Sequence, residues 1–232
     1  MIRRPPRSTQ SRSSAASDVY KRQQYSENGF DVLACCRNVH EAKKLKELQG
    51  ISDNIKIYEL DVGNIKIIKN LSQQLQNETI DVLINNAGIY RSSTIGNINY
   101  DEWIESFKVN TIAPYQIVEN FLNQIINSDL KKVVSITSKM GSIDDNTSGG
   151  SYIYRSSKTA LNSMMRSLTH DLKNQGVATL TLHPGWVRTD MGGPGGWINS
   201  IESVQGMIKQ IDKLTIDDSG KYLDYAGKTI NW

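Results

Sequence analysis

Two tyrosines, Tyr152 and Tyr154, stand ahead of one lysine, Lys158, in SGGSYIYRSSKTALNSM (148–164). A phenol titrates near pH 10 and is a poor base at neutrality unless a nearby positive charge stabilises the phenolate. Residues four apart on a helix share a face, and residues six apart do not. The spacing therefore pairs Tyr154 with Lys158 and leaves Tyr152 as a pocket wall or as packing. One Tyr-x-x-x-Lys is a weak signal, so its weight depends on the elements that position it.

Those elements alternate. DVLACC (31–36) reads as a buried strand, EAKKLKELQG as a helix closed by Gly50, and IKIYEL (55–60) as a second strand. Ile65, Ile68, Leu71 and Leu75 fall on one helical face. DVLIN (81–85), KKVVSIT (131–137) and VATLTLH (177–183) are further strands, with one long helix expected over 100–127 and another within 152–174. Strands alternating with helices imply an α/β fold, a parallel sheet covered on both faces. Sites in such folds lie beyond the carboxyl ends of the strands. Those ends read Cys36-Arg37, Asp61-Val62, Asn85-Asn86-Ala87-Gly88, Thr137-Ser138 and His183-Pro184-Gly185.

Asn85-Asn86-Ala87-Gly88, Asn110, Ser138, Tyr154-x-x-x-Lys158 and Pro184-Gly185-Trp186-Val187-Arg188-Thr189-Asp190 occur in that order. This pattern resembles the short-chain dehydrogenase/reductases, over essentially all of the chain after Gln24. SKMGSIDDNTSGGSYIYRSSKTALN, LHPGWVRTDMGG and LDYAGKTINW resemble its C-factor-like (C-signal-like) branch, close to small carbonyl reductases. The resemblance implies a Rossmann-type doubly wound sheet of order 3-2-1-4-5-6-7. It implies hydride transfer between a nicotinamide cofactor and a carbonyl or alcohol. Tyr154 would be general acid in reduction and base in the reverse reaction, with Lys158 lowering its pKa and holding the nicotinamide ribose. Ser138 would bond the substrate oxygen, and Asn110 would hold a water linking Lys158 to solvent. Pro114, four residues after Asn110, has no N–H to offer the Asn110 carbonyl, so either a kink admits that water or the proline is merely tolerated.

An acidic residue after the second strand of such folds favours NAD, and an arginine there accommodates the 2′-phosphate of NADP. DVLACC stands in the place of the family's second strand and ends in Cys36-Arg37, so Arg37 favours NADP(H) over NAD(H), the alternative being a solvated surface arginine. By the same resemblance Asp61 and Val62 meet the adenine, and Asn86, Ala87 and Gly88 its ribose side. Pro184, Gly185, Val187 and Thr189 meet the nicotinamide end. His183 has no second ligand at metal spacing and reads as structural. Trp186 packs near the nicotinamide or in the core, and GGPGGW (192–197) reads as a mobile substrate loop. Pocket walls are expected from 142–152 and from a loop over 191–205.

The family's glycine-rich turn, TGxxxGxG, and the strand before it are missing. In their place stands MIRRPPRSTQSRSSAASDVYKRQ, rich in Arg, Ser and Pro and without apolar periodicity. It reads as a disordered tail, a transit peptide or, in the best fit, a translated sequencing-adapter scar, so 1–23 is set apart from a single domain over 24–232. The lost strand would be central, so an exposed apolar gap, poor folding and weak NADP binding are expected, with activity as an NADP(H)-dependent oxidoreductase left open to loss by the truncation.

The 232 residues are 38% hydrophobic and 22% charged, enough for one such domain. The net charge of +3 owes much to Arg3, Arg4, Arg7, Arg12, Lys21 and Arg22, and no basic stripe with interleaved aromatics suggests nucleic acid. No transmembrane-length run or secretory h-region is present, and the two cysteines, Cys35 and Cys36, read as reduced thiols, so a cytoplasmic protein is expected. The sequence leaves a homodimer through the two long helices open. A second reading, a C-factor-like signalling or scaffold protein that keeps the fold without turnover, is disfavoured by the intact Asn110–Ser138–Tyr154–Lys158 set.

Overall fold

The computed structural model describes residues 15–189 and 191–232; residues 1–14, most of the expected tail, and Asp190 of the Pro-Gly motif lie outside the described residues. All strand pairs are parallel. β1 (Val32–Cys36) pairs with β2 (Ile55–Glu59). β3 (Val82–Asn85), β4 (Lys132–Ile136), β5 (Ala178–His183) and β6 (Lys221–Asp224) form a second sheet in that order. This is the expected α/β Rossmann-type arrangement, and among the described residues no strand joins the two sheets. β4 is buried at every position, as a strand with helices on both faces must be.

The break is not bare. α1 (Ala15–Glu27) packs beside it. Tyr25 of α1 is buried with Val134, Leu180, Leu182 and Met207 of the four-stranded sheet and its helix. Val19 packs instead on the cluster of Ala34, Leu45, Leu48 and Ile55, and Val32 touches both groups. The Arg22 guanidinium donates a 2.8 Å hydrogen bond to the Cys35 carbonyl. α1 thus supplies apolar area and a donor beside the gap, while β1 and β3 stay only half-buried at most positions.

α2 (Lys43–Gly50) and α3 (Ile65–Gln74) follow β1 and β2. Gly50 is the last residue of α2 and does not take the left-handed conformation of a glycine cap; the chain leaves through Ile51 at φ −115°. α3 is capped by the Asn64 side chain and buries Ile68, Leu71 and Leu75.

The single helix expected over 100–127 is broken. α4 (Tyr100–Phe107) runs into a π-helical turn, Lys108–Ile112, then α5 (Ala113–Asn120) and α6 (Leu122–Ile126). The cause is Pro114 in the first turn of α5: it cannot donate to the ladder, and the Ala113 N–H bonds Lys108 five residues back. Asn110 lies inside that widened turn. α7 (Tyr152–Leu172) carries the Tyr154 and Lys158 pair, and α8 (Ser200–Lys213) lies before β6. The loop expected to reach residue 205 therefore ends at Asn199, whose side chain caps α8 through the Glu202 N–H.

Candidate active site

Tyr154 and Lys158 both lie buried on α7, at 9% and 4% exposure. The Lys158 ammonium donates to the Ile136 carbonyl at the end of β4, 2.9 Å away. Two residues further on, Ser138 begins a short helical turn, Lys139–Gly141, and its hydroxyl accepts the Met140 N–H at 3.2 Å. That turn is latched onto α7: the Gly141 carbonyl accepts from Thr159 Oγ1 at 2.9 Å and Asn162 Nδ2 at 3.1 Å. The Tyr222 hydroxyl of β6 donates to the Ser138 carbonyl at 2.6 Å. Strand end, turn and helix are in this way held as one unit.

Asn110 is fully buried and both ends of its carboxamide are bonded. Its Oδ1 accepts the Ile89 N–H at 2.8 Å, and its Nδ2 donates to the Ile89 carbonyl and to Ser157 Oγ, both at 2.9 Å. The side chain thus fixes the segment after β3 against α7 instead of reaching Lys158 itself. Gly88 lies between the two: a side-chain carbon built there would sit 3.3 Å from Asn110 Oδ1 and 3.4 Å from Lys158 Nζ.

Burial pushes the Tyr154 phenol up to about 12, with the Ser138 hydroxyl pulling partly in the other direction as a hydrogen-bonding partner. Burial likewise pushes the Lys158 amine down to about 8. Desolvation is the largest influence on the phenol. At neutral pH the phenol keeps its proton and the amine is mostly charged.

Of the other residues singled out, Arg37 is exposed just past β1. Asp61 accepts the Gly63 N–H at 2.9 Å, and Val62 is half-buried against the core under α3 instead of standing clear of it. Ala87 is exposed. The Asn86 carboxamide is engaged by α1, donating to Asp18 at 2.7 Å and accepting from buried Lys21. Pro184 accepts from Ser203 Oγ at 2.6 Å, and Gly185 takes φ +84° against Ile198 and Tyr225. Val187 is buried and bridged to Ile198. Thr189 Oγ1 accepts the Gly192 N–H at 3.1 Å. His183 is held neutral, its pKa pushed down to about 4 by burial, and no group of metal-ligating side chains occurs among the described residues.

A family model described as short chain dehydrogenase matches residues 22–195. The chain belongs to that family. It is 42% identical over 154 residues to the C-signal protein of Myxococcus xanthus, a match covering 66% of this chain and 93% of that one. In structure it is similar to the carbonyl reductase Sniffer of D. melanogaster, with TM-score 0.88 and 30% identity over 95% of this chain and 96% of that one. It is also similar to an NADPH-bound carbonyl reductase from chicken fatty liver, with TM-score 0.86 and 32% identity over 95% of each chain.

The family implies a nicotinamide dinucleotide, and the residues at the reacting end fit one. With only backbone at Gly88, an approach to the Lys158 ammonium stays open that a side chain would fill. Two features of this family member were not legible in its motifs. The Trp186 and Trp197 rings meet edge to face at 5.3 Å, and the Trp186 Nε1 donates to the Gly192 carbonyl at 2.7 Å, so GGPGGW is folded back on the segment after β5. Tyr90, two residues past Gly88, packs edge-on against Tyr154 with ring centroids 4.9 Å apart. Its position next to Asn-Asn-Ala-Gly was the only sequence signal for it.

Proposed function

We propose that this chain is an NADP(H)-dependent reductase of aldehydes or ketones. The observation that carries the reading is the buried Tyr154–Lys158 pair on α7 with the Ser138 hydroxyl at the phenol. The cofactor would supply the hydride. Ser138 orients the carbonyl oxygen, and Tyr154 delivers a proton to it as charge builds there. A phenol pushed up to about 12 is protonated at neutral pH, which suits the acid of the reduction more than the base of the reverse reaction. Lys158, mostly charged at neutrality, offers its ammonium to the ribose through the opening at Gly88, and Arg37 its guanidinium to the 2′-phosphate. Asp61, Asn86, Ala87, Val187 and Thr189 line the remainder of the cofactor path, Asn86 after giving up its bonds to α1. The similarity to the C-signal protein favours a signalling role as the second reading.

The test is oxidation of NADPH against a panel of aldehydes and ketones. It is run on the chain as it stands and with a β-strand and glycine turn added ahead of Ala15, each beside its Tyr154→Phe variant. Turnover that falls at least about a hundredfold in the variant supports the reading. Equal turnover with and without the phenol, or none in either form, overturns it in favour of the signalling role.

A further inference from the structure

We propose that Tyr90 is a specificity-determining wall of the carbonyl pocket and that it selects substrates with a flat, unsaturated group on the carbonyl carbon, an inference that rests on the reductase reading above. The Tyr90 ring meets the Tyr154 ring edge to face, 4.9 Å between centroids and 61° between planes. Tyr154 is 9% exposed, yet Tyr90 keeps 40% of its surface open. One side of the ring is therefore spent on the proton donor, and the remainder is open to solvent beside it. A group attached to a carbonyl held at Tyr154 and Ser138 lies within one ring's width of Tyr90. Aromatic rings favour offset or edge contacts with other flat π systems over contacts with small alkyl groups.

The backbone presents this ring rigidly. Ile89, the residue before it, is pinned at both N–H and carbonyl by Asn110. Ser93, beyond it, accepts the Ile153 N–H on its hydroxyl at 3.0 Å and the Ser151 N–H on its carbonyl at 2.9 Å. The Tyr90 hydroxyl itself lies 3.2 Å from Ser151 Oγ, on the residue that enters α7 with a left-handed φ of 48°. Tyr90 thus sits on a strap tied at one end to Asn110 and at the other to the first turn of the helix that carries Tyr154. A pocket wall needs that fixity if it is to discriminate between shapes.

The experiment compares kcat/KM for benzaldehyde and for propanal in the wild-type chain, Tyr90→Leu and Tyr90→Phe. The benzaldehyde-to-propanal ratio should fall about tenfold in Tyr90→Leu and stay within about threefold of wild type in Tyr90→Phe, which keeps the ring and loses only the Ser151 contact. The rise in unfolding temperature produced by benzyl alcohol should likewise be lost in Tyr90→Leu and kept in Tyr90→Phe. An unchanged ratio in Tyr90→Leu, or a ratio lost equally in Tyr90→Phe, overturns the proposal while leaving the reductase reading intact. A wild-type chain that reduces neither aldehyde removes the reductase reading itself. In that case a benzyl alcohol shift equal in wild type and Tyr90→Leu, or absent from both, removes the aromatic wall too.

Discussion

Replacing Lys158 with methionine should make the protein more stable at neutral pH while abolishing its chemistry. The amine is 4% exposed, donates to the Ile136 carbonyl, and forms no ion pair with a carboxylate among the described residues. Burial lowers its pKa from 10.5 to about 8, a burden on the charged form of about 3 kcal/mol at 1.36 kcal/mol per tenfold. Methionine has similar length and no charge, and forfeits one hydrogen bond worth about 1 kcal/mol. The net expectation is a variant about 2 kcal/mol more stable at pH 7. The sign reverses with pH. Below about 8 the lysine is protonated both folded and unfolded, and the burden is fully present. Between about 8 and 10.5 the unfolded chain binds more protons than the folded one, so wild-type stability rises relative to the variant. Near pH 10.5 the wild type should overtake by about the value of the hydrogen bond. Tyr154 titrates in both proteins and cancels in the difference. Urea denaturation followed by circular dichroism at pH 7, 8, 9 and 10 measures the difference directly. A gap that stays constant over that range, or a variant less stable at pH 7, would refute the reasoning, because it would mean that Lys158 is not a desolvated, unpaired ammonium.

Two further outcomes follow from the same geometry. Gly141→Ala places a carbon 2.9 Å from the Lys158 backbone carbonyl carbon and 3.0 Å from Asn162 Nδ2, so it should cost about 1–3 kcal/mol in urea denaturation and lower kcat by displacing Ser138 from Tyr154. Arg37→Glu puts a carboxylate where a 2′-phosphate would approach, and should lower the ratio of NADPH to NADH affinity at least about tenfold by fluorescence titration, with kcat at saturating cofactor little altered.

How much of this was legible depended on the length scale of each signal. The strands and their parallel pairing were readable because short apolar runs between helical repeats have few other solutions, and VVSI in β4 is buried throughout as that run implies. That Tyr154 and Lys158 lie on one helix was likewise readable, since helical spacing is a local property. The break at Asn110 was half-readable. Pro114 marks a defect, but whether the ladder kinks or widens into a π turn depends on the Asn110–Ile89 clamp, a contact 21 residues apart. The ionisation states were not readable at all. Burial, which only tertiary packing decides, raises the phenol and lowers the amine. Tyr90 was missed for the same reason: its partner is 64 positions away, and no periodicity in the segment after β3 marks it.

The division of the sheet bears unequally on the two halves of the proposed reaction. Ser138 follows β4, Tyr154 and Lys158 ride on α7, and the Ser138 turn is tied to α7 and β6 by Thr159, Asn162 and Tyr222. These hydrogen bonds all lie within the four-stranded sheet and the helix on it, while the apolar side of α7 shares a core cluster with Leu33 and Cys35 of β1 and Tyr58 of β2. Arg37 follows β1, and Asn86 is drawn toward α1 by Asp18 and Lys21. Lys21 is itself buried, with its pKa lowered by that burial, so its contact with Asn86 is made at an electrostatic cost. On the proposed reaction, a change that loosens α1 at Asp18 or Lys21 should act first on nucleotide affinity, because Asn86 is bonded to both. The turn of Ser138 is held to α7 and β6 by a different set of hydrogen bonds, through Thr159, Asn162 and Tyr222, so kcat at saturating cofactor should change less than cofactor affinity.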